Sequence, residues 1–120
     1  MLGSFHHDIS KSGFNAEFKY VDSSEEFYWV IPGEQEAFQF DTIKAIIMKN
    51  GNEYTDINLY WDHLELFSLT HHYCNYTGVV KGSMKDSSGI VNPVNIIETG
   101  TIRRNPSGWE LLSGQSRNIN

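Results

Sequence analysis

The chain has one cysteine, three prolines and no long apolar run, and each shortage removes a class of explanation. Cys74 alone cannot close an internal disulfide, so stability has to come from packing. It lies in an apolar alternation and reads as a small buried hydrophobe rather than a nucleophile. No stretch approaches the roughly 20 apolar residues of a membrane helix. The opening MLGSFHHDISK lacks the continuous apolar centre of a secretory signal, and a cytoplasmic location is the expectation. Positive charge is scarce: 9 Lys and Arg stand against 15 Asp and Glu, for a formal net charge of −6. Arg103-Arg104 is too short for a basic stripe, which argues against nucleic acid and anionic membranes as partners. Phosphate-binding glycine loops, nucleophile elbows and Ser-His-Asp signatures are missing. His6-His7 and His71-His72 are poor chelators, because neighbours on a strand point to opposite faces and those in a tight turn point outward. No metal or cofactor is expected.

What is present is one domain, 1–120, long enough for a core of its own. Asn15 to Tyr20 suits a turn or two of helix presenting Phe14 and Phe18. Phe27-Tyr28-Trp29-Val30-Ile31 is a dense strand signal, stopped by Pro32-Gly33. Asp41 as N-cap, the Ile43, Ile46 and Ile47 stripe and Asn50-Gly51 as C-cap predict a short helix that must lie on something. From Ile57 onward the pattern is strand: Ile57 to Leu69, Tyr73 to Met84, Val94 to Arg104 and Trp109 to Ile119. The fold class expected is α+β, with helices first and a bent antiparallel meander of about four long strands plus a short one. A two-residue turn at His71-His72 would pair Leu69 with Cys74, Phe67 with Tyr76, Ser68 with Asn75 and Asp62 with Lys81. Leu64 and Leu66 then fall on the polar side, which calls for a bulge near Trp61–Leu64 or a second buried surface.

The closing segment ETGTIRRNPSGWELLSGQSRNI carries the sharpest chemistry. A hairpin looping at Asn105-Pro106-Ser107-Gly108 sets Arg104 opposite Trp109, Ile102 opposite Leu111, Gly100 opposite Ser113 and Glu98 opposite Gln115, all on one face. Arg103 and Glu110 pair on the other, solvated face. Glu98 would then be a carboxylate desolvated by apolar neighbours, with the raised pKa that a base working near neutrality needs. Gln115 would donate to it or to a ligand oxygen. His63 shares the face of Trp61 and Phe67 and could shuttle protons, unless a bulge turns it outward. Tyr28, Trp29, Tyr60, Trp61 and Tyr76 are numerous enough to wall a pocket for a flat, apolar or aromatic small molecule, with Ser113 and Gln115 as polar contacts. The competing reading is an aromatic core with Glu98 held by a neighbouring amide or tyrosine hydroxyl.

Phe-Tyr-Trp-Val-Ile-Pro-Gly before the helix, Tyr76-Thr77-Gly78, and the closing Gly-Thr-Ile-Arg-Arg…Gly-Trp-Glu-Leu-Leu-Ser-Gly-Gln-Ser resemble the nuclear transport factor 2-like superfamily. The likeness is to its SnoaL-like and ketosteroid isomerase-like small domains, over about Phe27 to Ile119. It implies a cone, in which a strongly bent, cystatin-like sheet wraps helices around an apolar pocket. It also implies a homodimer through the outer sheet face, which would cover Leu64, Leu66 and Leu112. The family's longer first helix is not matched by the short N-terminal segment. Its catalytic acid–tyrosine set has no matching positions, and Gln115 stands where related proteins often carry a histidine. The expected function is therefore a small-molecule-binding domain with an apolar pocket. The alternative is a cofactor-free isomerase, cyclase or dehydratase with Glu98 as base and Tyr76 and Gln115 on the oxyanion.

Overall fold

The computed structural model describes residues 20–106 and 108–119, with the side chains of 50–52 left aside. The helical turn expected from Asn15 lies outside them. A short strand β1 (Tyr28–Val30) is followed by helix α1 (Phe40–Glu53) and four long strands, β2 (Tyr54–Ser68), β3 (Tyr73–Asp86), β4 (Val91–Asn105) and β5 (Gly108–Asn118). They form one sheet in the order β1-β5-β4-β3-β2. The four long strands are an antiparallel meander, and β1 joins β5 in parallel. Tyr20 and Asp22 extend the same edge, bonding to the backbone of Leu111 at 2.7 and 2.8 Å.

The helix starts at Phe40, with the Gln39 carbonyl accepting the first bond from the Ile43 amide, so Asp41 sits in the first turn rather than at the cap. It also runs past Asn50-Gly51 and passes directly into β2. Ile43 and Ile47 are buried, Ile46 and Phe40 are partly so, and Asp41, Lys44 and Lys49 remain exposed. The apolar stripe joins Phe27, Ile57, Tyr76, Ile102 and Leu111 in a single core on one face of the sheet. Phe27 meets Phe40 edge to face at 6.1 Å. A lone helix of this length is marginal in water, and its burial on the sheet stabilises it, at ~1.5–3 kcal/mol per large apolar side chain.

Of three register shifts in the sheet, two place the side chains of interest. In β2 the pairing shifts between Trp61 and His63, leaving Trp61 opposite Val80 and Leu64 opposite Gly78. The β2–β3 connection is also longer than expected: Ser68 pairs with Cys74, Phe67 with Asn75 and Leu66 with Tyr76. Thr70 Oγ1 accepts from the amides of His72 and Tyr73 and rounds the wider loop. The one-residue slip reverses the faces. Leu64 and Leu66 accordingly fall on the inner face, where Leu64 packs against the core and Leu66 stays exposed. The expected Asp62–Lys81 ion pair forms at 3.3 Å.

In β5 the shift falls between Thr101 and Ile102 of the partner strand. Arg104↔Trp109, Arg103↔Glu110 and Ile102↔Leu111 hold as expected, but Thr101 then faces Ser113, Gly100 faces Gly114, Thr99 faces Gln115 and Glu98 faces Ser116. Although the backbones of Arg103 and Glu110 pair, the guanidinium reaches Asp22 (2.7 Å) and Glu26 (2.5 Å), while Glu110 accepts from Asn105.

Candidate functional site

On the inner face the registers define a row across the sheet: Trp29, Gly114, Gly100, Tyr76, Leu66. The next row is Ser116, Glu98, Gly78, Leu64. The glycines are where rings lie against backbone. A Cβ on Gly114 would meet the Trp29 ring at 2.7 Å, and one on Gly78 would meet the Trp61 ring at 2.6 Å. On Gly100 it would meet the Tyr76 ring at 3.0 Å and the Ser113 carbonyl oxygen at 2.6 Å. Trp61 in turn packs edge to face on Tyr76, with centroids 6.0 Å apart.

Among these rings sits the buried carboxyl of Glu98. The Tyr76 hydroxyl donates to Glu98 Oε2 at 2.6 Å. Burial raises the Glu98 pKa from 4.5 to about 7, and the tyrosine bond offsets only part of that. Burial, reinforced by the neighbouring carboxylate, pushes the Tyr76 phenol well above its ordinary value. It therefore stays a neutral donor. At neutral pH Glu98 exists in both protonation states, so it can accept or donate a proton without leaving the core.

The bulges separate the sequence-derived site residues into two groups. Glu98, Tyr76, Trp29 and Trp61 share the inner face. Gln115 pairs with Thr99 on the outer face and is exposed, so the expected Glu98–Gln115 contact does not form. The structure replaces it with the Tyr76 hydroxyl, which alternation along β3 does not reveal. His63 turns outward opposite Val79, as the bulge alternative required, and its Nε2 lies 3.1 Å from Glu65. Tyr60, opposite Lys81, and Tyr28, opposite Ser113, are both half exposed on the outer side.

On that outer side Tyr28 and Val30, Ser113 and Gln115, Thr99 and Thr101, and Asn75 surround a trough of about 390 Å³, which Gly100, Gly114 and Tyr76 also line. Thr101 Oγ1 donates to Asn75 Oδ1 at 2.7 Å. Nothing in the sequence marks Thr99, Thr101 and Asn75, because their side of the strands reads as ordinary solvated surface.

A solved structure from Salmonella enterica serovar Typhimurium, described as a nuclear transport factor 2-like superfamily protein, superposes with a TM-score of 0.81 at 11% identity, covering 99% of this chain and 86% of that one. This chain has the nuclear transport factor 2-like fold. A ketosteroid isomerase-like protein from Erwinia carotovora gives 0.76 at 13% identity, over 97% and 88% of the two chains. A protein from Streptomyces avermitilis, provisionally named a dehydratase of the same family, gives 0.75 at 14% identity, again over 97% and 88%. No protein-family model matches the chain, and no curated protein does. Identities this low carry the nuclear transport factor 2-like fold and not an activity. No helix among the described residues is long and apolar enough to cross a membrane.

Proposed function

We propose that this nuclear transport factor 2-like domain binds a small, largely apolar molecule on the inner face of its sheet, anchored by the Tyr76–Glu98 pair. The observation that carries the reading is the 2.6 Å bond between a phenol and a carboxyl, both buried among aromatic rings. A buried polar pair in an apolar wall orients a ligand through one or two hydrogen bonds, while the rings supply contact area. A neutral hydroxyl or carbonyl group on the ligand suits it. The protonated carboxyl donates to a carbonyl, and the carboxylate accepts from a hydroxyl.

Proton transfer is the second reading, and the Glu98 pKa of about 7 favours it. The carboxylate would take a proton from carbon beside a ligand carbonyl and return it to a second carbon, as in an isomerisation, leaving no net change in the enzyme. Against it stands the use of the tyrosine: the Tyr76 proton is engaged by Glu98 and is not free for a developing oxyanion. Neither His63 nor Gln115 is on hand as a second group. Binding is therefore the reading we adopt.

A thermal-shift screen of planar aromatic and alicyclic ketones and alcohols tests it. Ligands of this site should stabilise the wild type and lose that effect in Glu98→Gln. If every hit stabilises Glu98→Gln equally, the inner-face site is wrong. Hits that are ketones can be followed by NMR in heavy water. Exchange of protons beside the carbonyl, slowed by about 100-fold or more in Glu98→Gln, would establish the catalytic reading over the binding one.

A further inference from the structure

The Tyr76 bond engages Oε2 of Glu98 and leaves Oε1 without a hydrogen bond among the described residues. A second oxygen in the same condition lies beside it. Ser116 stands directly opposite Glu98 in the β4–β5 pairing, so both side chains project from the inner face, with Cβ atoms about 5 Å apart. Ser116 is only 9% exposed, and among the described residues its hydroxyl has no hydrogen-bond partner. A hydroxyl this deep ordinarily bonds a neighbour. Yet neither oxygen is walled in. The side-chain oxygen fully enclosed without a partner, among the described residues, is Asn95 Oδ1. Glu98 Oε1 and Ser116 Oγ instead border space that a ligand atom can enter.

The two oxygens make complementary offers. Because the phenol proton points at Oε2, the proton of the neutral acid belongs on Oε1, which then donates. Ser116 Oγ can donate or accept. A ligand with one polar group satisfies one of them and leaves the other desolvated and unpaired. A carbonyl and a hydroxyl on neighbouring carbons satisfy both, each through a bond of about 2.8 Å. Beyond Glu98 the same row turns apolar, with Gly78 against the Trp61 ring and then Leu64. The polar end of a ligand is thus drawn toward β5 and its apolar body toward β3 and β2. We infer that Ser116 is the second polar contact of the inner-face site and selects α-hydroxyketones, its hydroxyl bonding the ligand hydroxyl while Glu98 bonds the carbonyl. The inference rests on the Tyr76–Glu98 binding reading and adds a residue that reading does not use.

The probes are 1-tetralone and 2-hydroxy-1-tetralone, which differ only by that hydroxyl. Each is titrated into the ¹⁵N-labelled chain at pH 6, below the Glu98 pKa of about 7. Both should move the Glu98 and Ser116 amides saturably, and the hydroxyketone should bind about tenfold tighter. Ser116→Ala should keep the affinity for 1-tetralone and erase the advantage of the hydroxyketone. Ser116→Thr, which retains a hydroxyl, should restore it. A purely structural role for Ser116 would weaken both ligands alike. Ser116→Ala should fold, since the hydroxyl has no bond to lose, and the comparison of the two ligands on the wild type needs no variant at all. Equal binding of both by the wild type, or an advantage that survives in Ser116→Ala, would overturn the role of Ser116 and leave the Glu98 reading standing. If neither ligand moves those amides, the inner-face reading falls and this inference falls with it.

Discussion

Two acidic side chains in this molecule are shielded from solvent and have opposite proton affinities. Asp22 receives bonds from Ser24, from two nitrogens of Arg103 and from Asn105. Burial alone would raise its pKa, but the donors outweigh it and bring it down to about 2. Glu98 receives one bond, from a neutral phenol, and burial wins. The number and charge of the donors, together with the deeper burial of Glu98, separate a carboxylate locked in place from one available for chemistry. Tyr76→Phe tests this at a single atom. It preserves the ring against Trp61, removes the bond from the phenol that favours the Glu98 anion, and should drive the Glu98 pKa higher still. The expected cost at neutral pH is about 1–2 kcal/mol, read by urea denaturation. A variant as stable as the wild type, with the Glu98 titration unmoved, would mean that the hydroxyl does not matter to the acid.

At the scale of the elements, the sheet depends on bare backbone at a few crossings. Gly100→Ala places a methyl group 2.6 Å from the Ser113 carbonyl oxygen and 3.1 Å from the Tyr76 hydroxyl. The first neighbour is backbone and cannot step aside, so the substitution should destabilise by about 2 kcal/mol or more and disturb the Tyr76–Glu98 bond. Normal stability and an unshifted Glu98 pKa in that variant would contradict the close packing. The same strands show what could be read in advance. The helix stripe, the four long strands and the hairpin pairs Arg104–Trp109 and Ile102–Leu111 follow from alternation and turn residues. The bulge beyond Ile102 does not: Leu112 fits an apolar run in either register, so nothing in the pattern marks the extra residue that turns Gln115 outward. The four-residue loop before β3 did leave a trace in Thr70, whose hydroxyl caps the turn, but the adjacent His71-His72 suggested a shorter one. The parallel pairing of β1 with β5 joins residues over 80 positions apart, beyond any local signal. Thus Glu98 was legible as a buried acid held by an amide or a tyrosine hydroxyl, but not that Tyr76 would supply it.

For the whole molecule, the two acids pull stability in opposite directions as pH changes. The raised Glu98 pKa gives a contribution fully present below about 4.5 and lost as pH rises through about 7, a difference of about 3 kcal/mol. The lowered Asp22 pKa gives one fully present above about 3.8 and lost as pH falls through about 2. Together they favour a stability maximum on the mildly acidic side, with a decline toward neutrality that Glu98→Gln should largely abolish. Urea denaturation midpoints from pH 3 to pH 8 on both chains check this. A wild-type midpoint that rises from pH 5 to pH 8 would be the opposite of what the buried acid requires.

The binding reading needs a Glu98 carboxyl buried with Tyr76, the proton-transfer reading needs one that also changes charge near neutrality, and its direct titration is the decisive measurement. With ¹³C-labelled glutamate, the side-chain carboxyl signal of Glu98, assigned by its loss in Glu98→Gln, should titrate at about 7, well above its ordinary value of 4.5. A Glu98 signal that titrates at its ordinary value of 4.5 would contradict the buried pair on which the inner-face site rests.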